Sequence, residues 1–391
     1  MDLRLTKEQE EYRMQAREWL QKNIKPNWRQ QVRDYRQYIE ELKELEYKLY
    51  EAGYNGIYVP KEYGGQGLTY MEEIIFRWEA GRAGMPRNVN QIGKGLLVPT
   101  LLSVGTEEQK KRFIPKVLSG EEIWCQGYSE PGAGSDLAAV STRAVLDGDE
   151  WVINGQKIWT SYGAEAHWCF VLARTDPDAP KHKGITYFLV PMNAPGITVR
   201  PLKQMTTDAE FCEVFFENVR IPKDSVVGNV NEGWYVANNT LGFERGTITL
   251  KMQPLFERSF YEVLQMSKEL KVPGGHTVLE DTHYRQRLAD HFLDIAVLRY
   301  HGLQLVSKLL NDEKVGAEVS LHKLFYSEIY QRFMETVMDL QGSRSTYWWE
   351  SGLEQGKFQF EYLESRADTI HSGTSEIQRN IIAERVLGMP R

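Results

Sequence analysis

The chain is poor in cysteine, and it lacks both a long apolar run and a basic stretch. Its 391 residues hold three cysteines, Cys125, Cys169 and Cys212, which are odd in number and widely spaced. They provide neither a disulfide framework nor a CxxC metal site, so we expect no metal and a reducing, cytoplasmic compartment. No apolar run is long enough to span a membrane, and the charged start, MDLRLTKEQEEYRM, lacks the core of a signal peptide.

The charge balance limits the class of partner. Lys and Arg number 47 against 54 Asp and Glu, which gives a net charge of −7. This acidic balance disfavours nucleic acid as the main partner. An anionic small molecule stays compatible with it, because one arginine or one helix N-terminus can bind a phosphate.

Hydrophobic periodicity divides the chain into three regions. Residues 1–121 have helical spacing, and a capping box formed by Thr6 and Gln9 begins the first helix. Residues 122–230 change to a period of two, and residues 231–391 return to helical spacing. The pattern predicts an α+β multidomain protein with an N-terminal α domain, a middle antiparallel β domain and a C-terminal α domain.

Two glycine turns predict hairpins in the middle region. Asp147-Gly148 and Asn154-Gly155 each stand between runs rich in β-branched and aromatic residues. With them, the chain has strand-like runs at 142–146, 150–153, 158–161, 167–174, 185–190, 197–202 and 211–221. We expect a compact antiparallel sheet or barrel.

Three segments are the best candidates for a binding site. The turn YSEPGAGSD (128–136) is by itself typical of a structural loop, and Trp159 of a core residue. Small residues also let a backbone approach a planar ligand, and a Trp followed by hydroxyls offers it a face and hydrogen bonds. The third segment, 370–379, carries Ser372, Thr374 and Ser375 at the start of a helix. Capping is the simplest role for these residues, and phosphate binding is a second.

Taken together, these segments resemble the acyl-CoA dehydrogenase family of flavoproteins. The resemblance covers nearly the whole chain and implies FAD as the cofactor and a four-helix-bundle-like C-terminal domain. It implies α,β-desaturation of an acyl-CoA thioester to the trans-2-enoyl-CoA, with electrons passed to an electron-transfer flavoprotein. A homo-oligomer, either a dimer or a tetramer, follows from the same resemblance.

The resemblance also assigns site residues. Those implied at the FAD are Gln126, Tyr128, Ser129, Trp159, Ser161, Gln341, Gly342, Gly373, Thr374 and Glu376. Those implied at the substrate are Ser135, Arg245 and Ser372. Gln126 stands where the family often has an aromatic residue.

One stretch linked to FAD matches the family poorly. Where the family often has an Arg, a Thr and a Phe, this chain has Asp281, His283 and Tyr284. Neutralisation of the phosphates then falls to Arg285, to Arg287 or to a helix terminus.

The catalytic base departs from the usual pattern. Most relatives carry a carboxylate at the position of Ser372, and a neutral hydroxyl cannot remove the weakly acidic α-proton without its own base. His371 is disfavoured for that role, since neighbours in an extended loop point apart. Another subset of the family carries its base early in the third domain, where LGFERG (241–246) puts Glu244 on the matching position. We expect Glu244 to be the base, although a solvated Glu beside Arg245 is the simpler interpretation of the residues.

Several alternatives stay open at this point. The chain could be one subunit of a heterotetramer with little activity alone, a flavin oxidase or monooxygenase on the same fold, or a non-catalytic binding module. The acyl group is also open. Gly93 and Gly95, within the expected pocket floor at 90–97, suggest room for a branched or bulky group.

Overall fold

The computed structural model describes residues 5–311, 313 and 316–390, and at 243–251, 309 and 350 it describes the backbone only. The chain divides into two compact units. One unit comprises the segments up to Arg33, Thr69–Pro86 and the chain from position 245 onward. The other comprises Asp34–Leu68 and Arg87–Glu244. The helical N-terminal region therefore contributes to both units.

Helices form both ends of the described chain, as the periodicity predicts. They are α1 (Lys7–Asn23), α2 (Trp28–Gln31), α3 (Tyr35–Glu51), α4 (Tyr70–Ala83), α5 (Val98–Val104), α6 (Glu107–Ser119), α7 (Gly233–Ser267), α8 (Thr282–Leu310), α9 (Val319–Gln341), α10 (Lys357–Asp368) and α11 (Ser375–Ile381). Single π-helical turns lie at Gly93–Leu97 and Ile382–Val386. The predicted capping box is confirmed, because Thr6 and Gln9 each accept a hydrogen bond from the other's backbone N–H.

The middle region forms one sheet of eight strands. They are β1 (Trp124–Gly127), β2 (Arg143–Asp147), β3 (Glu150–Ser161), β4 (Trp168–Arg174), β5 (Ile185–Pro191), β6 (Ile197–Leu202), β7 (Phe211–Pro222) and β8 (Val226–Val227). Their order is β6-β7-β3-β2-β4-β5-β8, and β1 pairs with β4. Most pairs are antiparallel, as expected. Both β1 and β2 also meet β4 in parallel.

One of the two predicted hairpins is confirmed and the other is wrong. Asp147-Gly148 joins β2 to β3, with Asp147 opposite Glu150. Asn154-Gly155 instead lies inside β3, which pairs with β7 on both sides of a register shift. The Asn154 side chain accepts a hydrogen bond from the backbone N–H of Asn218 at 2.8 Å. A Cβ at Gly155 would lie 2.7 Å from the Cα of Thr142, so this glycine permits close strand packing in a bulge.

Each unit has its own apolar core. In the unit that contains the sheet, Leu101, Ile114, Trp124 and Tyr187 belong to a buried cluster between helices and one sheet face. In the other unit, a second buried cluster contains residues of four helices. They include Phe256 of α7, Leu288 of α8, Phe333 of α9 and Phe358 of α10. A core shared by four helices agrees with the expected four-helix-bundle-like domain.

Candidate functional site

Trp159 lies at an irregular point of β3 and exposes its ring. The pairing of β3 with β7 shifts register between Lys157 and Thr160, and Trp159 has a left-handed backbone with φ 61. Its exposed fraction is 59%, and its ring meets Phe211 edge-on at 6.0 Å between centroids. A left-handed residue other than glycine costs about 1–3 kcal/mol, and such strain concentrates at functional sites. The alternative that Trp159 fills the core is wrong.

Main-chain bonds bring the 128–129 segment next to this bulge. The carbonyl of Ser129 accepts from the N–H of Ile158 at 2.9 Å. Ser129 and Ser161 are both partly exposed, and Ser161 pairs with Phe211 in the sheet. Two of the three candidate segments therefore meet within one unit.

A buried ion pair holds the two segments together. The ammonium of Lys157, which is fully buried, donates to a carboxylate oxygen of Glu130 at 2.8 Å and to the carbonyl of Tyr128 at 3.0 Å. The Glu130 carboxylate also accepts from the backbone N–H groups of Ser141 and Thr142. Burial alone would raise the pKa of the Glu130 carboxyl, but the Lys157 charge and these hydrogen bonds lower it to about 2. Burial lowers the pKa of Lys157. The protein environment therefore favours the charged form of Glu130 and disfavours the charged form of Lys157.

Gln126 and Tyr128 differ in what they offer a ligand. The Tyr128 ring lies in the core, edge-on to Phe170 and Tyr187, so a ligand contact of Tyr128 falls to its main chain. The Nε2 of Gln126 is buried, and among the described residues it has no hydrogen-bond partner. A buried donor left unpaired costs about 1–3 kcal/mol, and a ligand acceptor would remove that cost. Ser135 lies on the exposed turn, beside the surface ion pair of Asp136 and Lys181.

Three polar side chains at the C-terminal segment contact one another. Nε2 of His371 lies 3.1 Å from a carboxylate oxygen of Asp368, and its Nδ1 lies 3.2 Å from the hydroxyl of Ser372. The expectation that neighbouring side chains point apart is wrong here. It assumed an extended loop, whereas Ser372 has a left-handed backbone with φ 55.

The start of α11 is fixed by several polar contacts. Thr374 accepts from the backbone N–H of Ile377 at 3.3 Å, which confirms the capping role. Lys323 of α9 donates to the carbonyl of Gly373 at 2.7 Å. The side chain of Gln378 donates to the carbonyl of Ser372 at 2.8 Å. These bonds hold the loop at 372–374 in one conformation.

Local backbone conformation and contacts favour a glycine at position 373 and a glutamate at position 376. Gly373 has φ 88, and a Cβ there would lie 2.6 Å from the Nε2 of Gln378. Glu376 is exposed on the first turn of α11. Hydrogen bonds from the backbone N–H and from the Thr374 hydroxyl lower the pKa of the Glu376 carboxyl. The implied contacts of these residues with FAD stay predictions.

The remaining residues implied at the FAD are engaged in protein contacts. Gln341 is buried at the end of α9, donates to the carbonyl of Val337 at 3.1 Å and accepts from Gln359 at 3.2 Å. Gly342 follows with φ 57. The implied contact of both residues with FAD stays a prediction.

The stretch that matches the family poorly begins α8. Asp281 accepts from the backbone N–H groups of His283 and Tyr284 and so caps the helix. Arg287 pairs with Asp339 at 2.9 Å, and Arg285 donates to the carbonyl of Leu279 at 3.3 Å. Both arginines thus have protein partners, and neutralisation of the phosphates by either arginine or by a helix terminus stays a prediction.

Two predicted residues lie outside the described side chains. Glu244 and Arg245 fall in the stretch 243–251, whose backbone belongs to α7. Their assignments as base and as CoA-side residue stay predictions.

The expected pocket floor contains one open and one closed glycine. Gly93 is packed, because an added Cβ would lie 2.5 Å from Oδ1 of Asn90. Gly95, in the same π-helical turn, has no neighbour within 4 Å of such a Cβ among the described atoms. An added side chain would therefore clash at Gly93 and not at Gly95, and room for a branched or bulky acyl group stays a prediction.

Sequence reasoning missed the residues that support the site. Glu130 lies within the turn at 128–136 and Lys157 two positions before Trp159, yet only their pairing 27 positions apart reveals a role. Asp368 precedes the C-terminal motif and becomes relevant through its contact with His371. The sequence offers little signal for this pair, because β3 holds several polar residues besides Lys157.

Metal-ligating side chains do not cluster in the described part of the chain. It contains no group of three or more His, Cys, Asp or Glu side chains that could hold a metal ion. Among the described helices, none is both long enough and apolar enough to cross a membrane.

Family models match three consecutive parts of the sequence. The acyl-CoA dehydrogenase N-terminal domain matches residues 6–121, the middle domain residues 125–219 and the C-terminal domain residues 231–387. Together these models span most of the chain.

Individual proteins match along the whole length. The sequence is 40% identical over 388 residues to the acyl-CoA dehydrogenase IpdE1 of Mycobacterium tuberculosis, with 98% of each chain covered. The fold is similar to a structure described as the Tcur3481-Tcur3483 steroid ACAD, with a TM-score of 0.89, 32% identity and full coverage of both chains. It is equally similar to the ChsE4-ChsE5 complex from Mycobacterium tuberculosis, with a TM-score of 0.89, 31% identity and full coverage of both.

Proposed function

Since the chain belongs to the acyl-CoA dehydrogenase family, we propose that it desaturates an acyl-CoA thioester to the trans-2-enoyl-CoA and passes the electrons to an electron-transfer flavoprotein. Its class is that of oxidoreductases acting on CH–CH groups, and its cofactor is FAD. The observation that carries the proposal is the exposed, left-handed Trp159 beside the 128–129 segment.

The residues around Trp159 fit a flavin. Trp159 offers an exposed aromatic face, and Gln126 offers a buried donor that has no partner in the described structure. Ser129 and Ser161 add hydroxyls near the bulge. Gly373, Thr374 and Glu376, with Gln341 and Gly342, would hold the dinucleotide. Bound FAD would supply the acceptor for the hydride that leaves the β-carbon.

We assign the base to Glu244. The α-proton of a thioester needs a carboxylate within hydrogen-bond reach, and Ser372 replaces the carboxylate that most relatives carry at its position. Arg245 would bind on the CoA side. Ser372 would donate its backbone N–H to the thioester oxygen, and Ser135 would contact the acyl-CoA.

A bulky, steroid-type acyl group is the substrate class that the neighbours support. One similar structure is described as a steroid ACAD. A serine at position 372 is shorter than a glutamate, and Gly95 leaves open space. We place this chemistry in the cytoplasm, where three buried free cysteines are stable.

A mixed assembly is the second candidate. A structure to which the chain is similar over its full length is a complex of two named proteins, ChsE4 and ChsE5. In such a heterotetramer this chain would bind FAD or substrate and show little activity alone. The purified chain would then contain markedly less than one FAD per subunit, and adding its partner would restore the flavin. A homodimer or homotetramer would carry one FAD per subunit unaided.

An anaerobic titration tests the proposed function. The FAD-loaded protein is titrated with butanoyl-CoA, with palmitoyl-CoA and with the CoA ester of a steroid side-chain acid, while the flavin absorbance is followed. We expect bleaching with the steroid ester at the lowest concentration. Admission of air then separates two chemistries, because rapid return of the colour would favour an oxidase or monooxygenase. A flavin that no thioester bleaches would refute the dehydrogenase.

A further inference from the structure

A buried charge pair fastens the π-helical turn Gly93–Leu97 to α3. Glu46 of α3 is 2% exposed, and one of its carboxylate oxygens accepts from the Lys94 ammonium at 2.6 Å. The side-chain oxygen of Asn55 accepts from the same ammonium at 2.7 Å, and its amide nitrogen donates to the Glu46 carboxylate at 3.2 Å. Polar side chains from three places in the sequence thus meet on one side of the turn.

Asn90 fixes the chain just before the same turn. Its backbone N–H donates to the other carboxylate oxygen of Glu46 at 3.1 Å. Its side-chain amide donates to the carbonyls of Val117 and Glu122, both at 3.0 Å, and its own carbonyl accepts from the N–H of Lys94 at 3.0 Å. Both oxygens of the Glu46 carboxylate are therefore used to hold the turn and the residues that lead into it.

The turn held in this way has an unusual conformation. The N–H of Val98 donates to the carbonyl of Gly93, which is the bond of a π helix. Single π turns are rare, and many of them lie at functional sites. Neighbouring helical residues project about 100° apart, so a Lys94 directed to α3 leaves Gly95 on a different face. Gly95 is partly exposed, and apart from its own stretch of backbone no described atom lies within 4 Å of an added Cβ.

A pair of hydroxyls links the turn to the helix that carries the proposed base. The Thr100 hydroxyl donates to the carbonyl of Leu96, which belongs to the turn, at 2.7 Å. It also lies 2.9 Å from the hydroxyl of Thr240 on α7. Glu244 follows one helical turn after Thr240, about 6 Å along the axis, and all of these residues belong to one compact unit. A change in the turn would therefore alter the space beside position 244.

We propose that the Glu46–Lys94 pair is a positioning device that determines which acyl groups fit beside Glu244. The pair keeps the turn in its π conformation with Gly95 toward the acyl group, so that a bulky, steroid-type group is accepted. It takes no part in the transfer of the proton or the hydride. The proposal rests on the proposed function in two respects, namely Glu244 as the base and residues 90–97 as the floor of the acyl pocket.

The test compares the acyl preference of variants through anaerobic bleaching of the bound FAD. Apparent dissociation constants and limiting bleaching rates are measured with butanoyl-CoA and with the steroid-type acyl-CoA. Both oxygens of Glu46 accept hydrogen bonds, so the amide of Glu46→Gln turns an NH₂ group toward a donor. We expect the preference for the steroid-type ester to fall at least about tenfold through its dissociation constant. The limiting rate with butanoyl-CoA should stay at the wild-type level.

Two further variants and a matched control complete the set. Gly95→Leu fills the space directly and should weaken binding of the steroid-type ester at least about tenfold more than binding of butanoyl-CoA. Lys94→Gln changes a partly exposed side chain and tests the pair again if Glu46→Gln does not fold. Lys43→Gln is the control, because it lies on the same helix and loses ion pairs that do not involve the turn. It should keep the wild-type preference.

The outcomes separate the pair from the reaction. A wild-type preference in Glu46→Gln or in Lys94→Gln, whatever the melting temperature, overturns the positioning role. An equal loss for both esters overturns it too, because the pair would then only stabilise the fold. An unchanged preference in Gly95→Leu shows that the turn does not face the acyl group, which also overturns the proposal. A wild-type flavin that neither ester bleaches refutes the proposed function itself.

Discussion

The sheet segment around Trp159 and the C-terminal loop around Ser372 each carry a left-handed residue, but different forces hold them. Beneath Trp159, a buried ion pair between Glu130 and Lys157 joins three stretches of chain. At Ser372, the loop is held by bonds to its carbonyls and by a helix cap. Substitutions that remove a charge should therefore destabilise the sheet segment most. The C-terminal loop should respond most to substitutions that change the preferred backbone conformation.

The largest expected effect is on the sheet segment. Glu130→Gln leaves the Lys157 ammonium buried without its counter-charge, which should lower the free energy of unfolding by about 3–5 kcal/mol. Thermal unfolding and hydrogen exchange of residues 124–161 measure it. Glu150→Gln, which breaks an exposed pair between Glu150 of β3 and Arg220 of β7, should change stability by less than about 1 kcal/mol. Equal effects of the two changes would show that the buried pair contributes no more than the exposed one.

Acid should destabilise the sheet segment around Glu130 over a defined pH range. The pKa of the Glu130 carboxyl falls from 4.5 to about 2 in the folded protein. A lowered carboxyl pKa stabilises the fold above pH 4.5, and that contribution disappears as the pH drops from 4.5 toward about 2. The difference in free energy of unfolding between the wild type and Glu130→Gln should be smallest at the acid end of this pH range. A difference that stays constant with pH would show that the charge of Glu130 is not what stabilises the segment.

The two regions also differ in how far the sequence predicts them. Helix caps, the Asp147-Gly148 hairpin and the family motifs follow from neighbouring residues. The bulge at Asn154 does not, because its partner Asn218 lies 64 residues away. The Glu130–Lys157 pair is likewise a product of strand packing. The contact of His371 with Ser372 depends on a left-handed backbone that serine rarely adopts.

A smaller effect is expected from the backbone of the C-terminal loop. Gly373→Ala places a Cβ at φ 88 and 2.6 Å from the Nε2 of Gln378. The strain should lower stability by about 1–3 kcal/mol. Gly132→Ala is the matched control, because no described atom lies within 4 Å of its added Cβ. Melting temperatures of the two variants compare them directly, and a stable Gly373→Ala would show that the loop tolerates other conformations.

The smallest effect on stability is expected at Trp159. Because its ring is mostly exposed, Trp159→Leu should change the free energy of unfolding by less than about 0.5 kcal/mol. The same change should weaken FAD binding, because the aromatic face is lost. Flavin content after dialysis and the melting temperature of the flavin-free protein are the two measurements. Full flavin retention would show that the Trp159 ring does not contribute to FAD binding, and a large loss of stability would show that the ring stabilises the fold instead.

The most direct test of the central claim is the rate of flavin reduction in Glu244→Gln. A carboxamide cannot take the α-proton, so we expect bound FAD to stay at the wild-type level while dehydrogenation slows by at least about 10²-fold. In a stopped-flow experiment with the steroid-type acyl-CoA, the initial flavin absorbance gives the bound FAD and the rate of bleaching gives the rate of dehydrogenation. Bleaching at the wild-type rate would show that Glu244 is not the base.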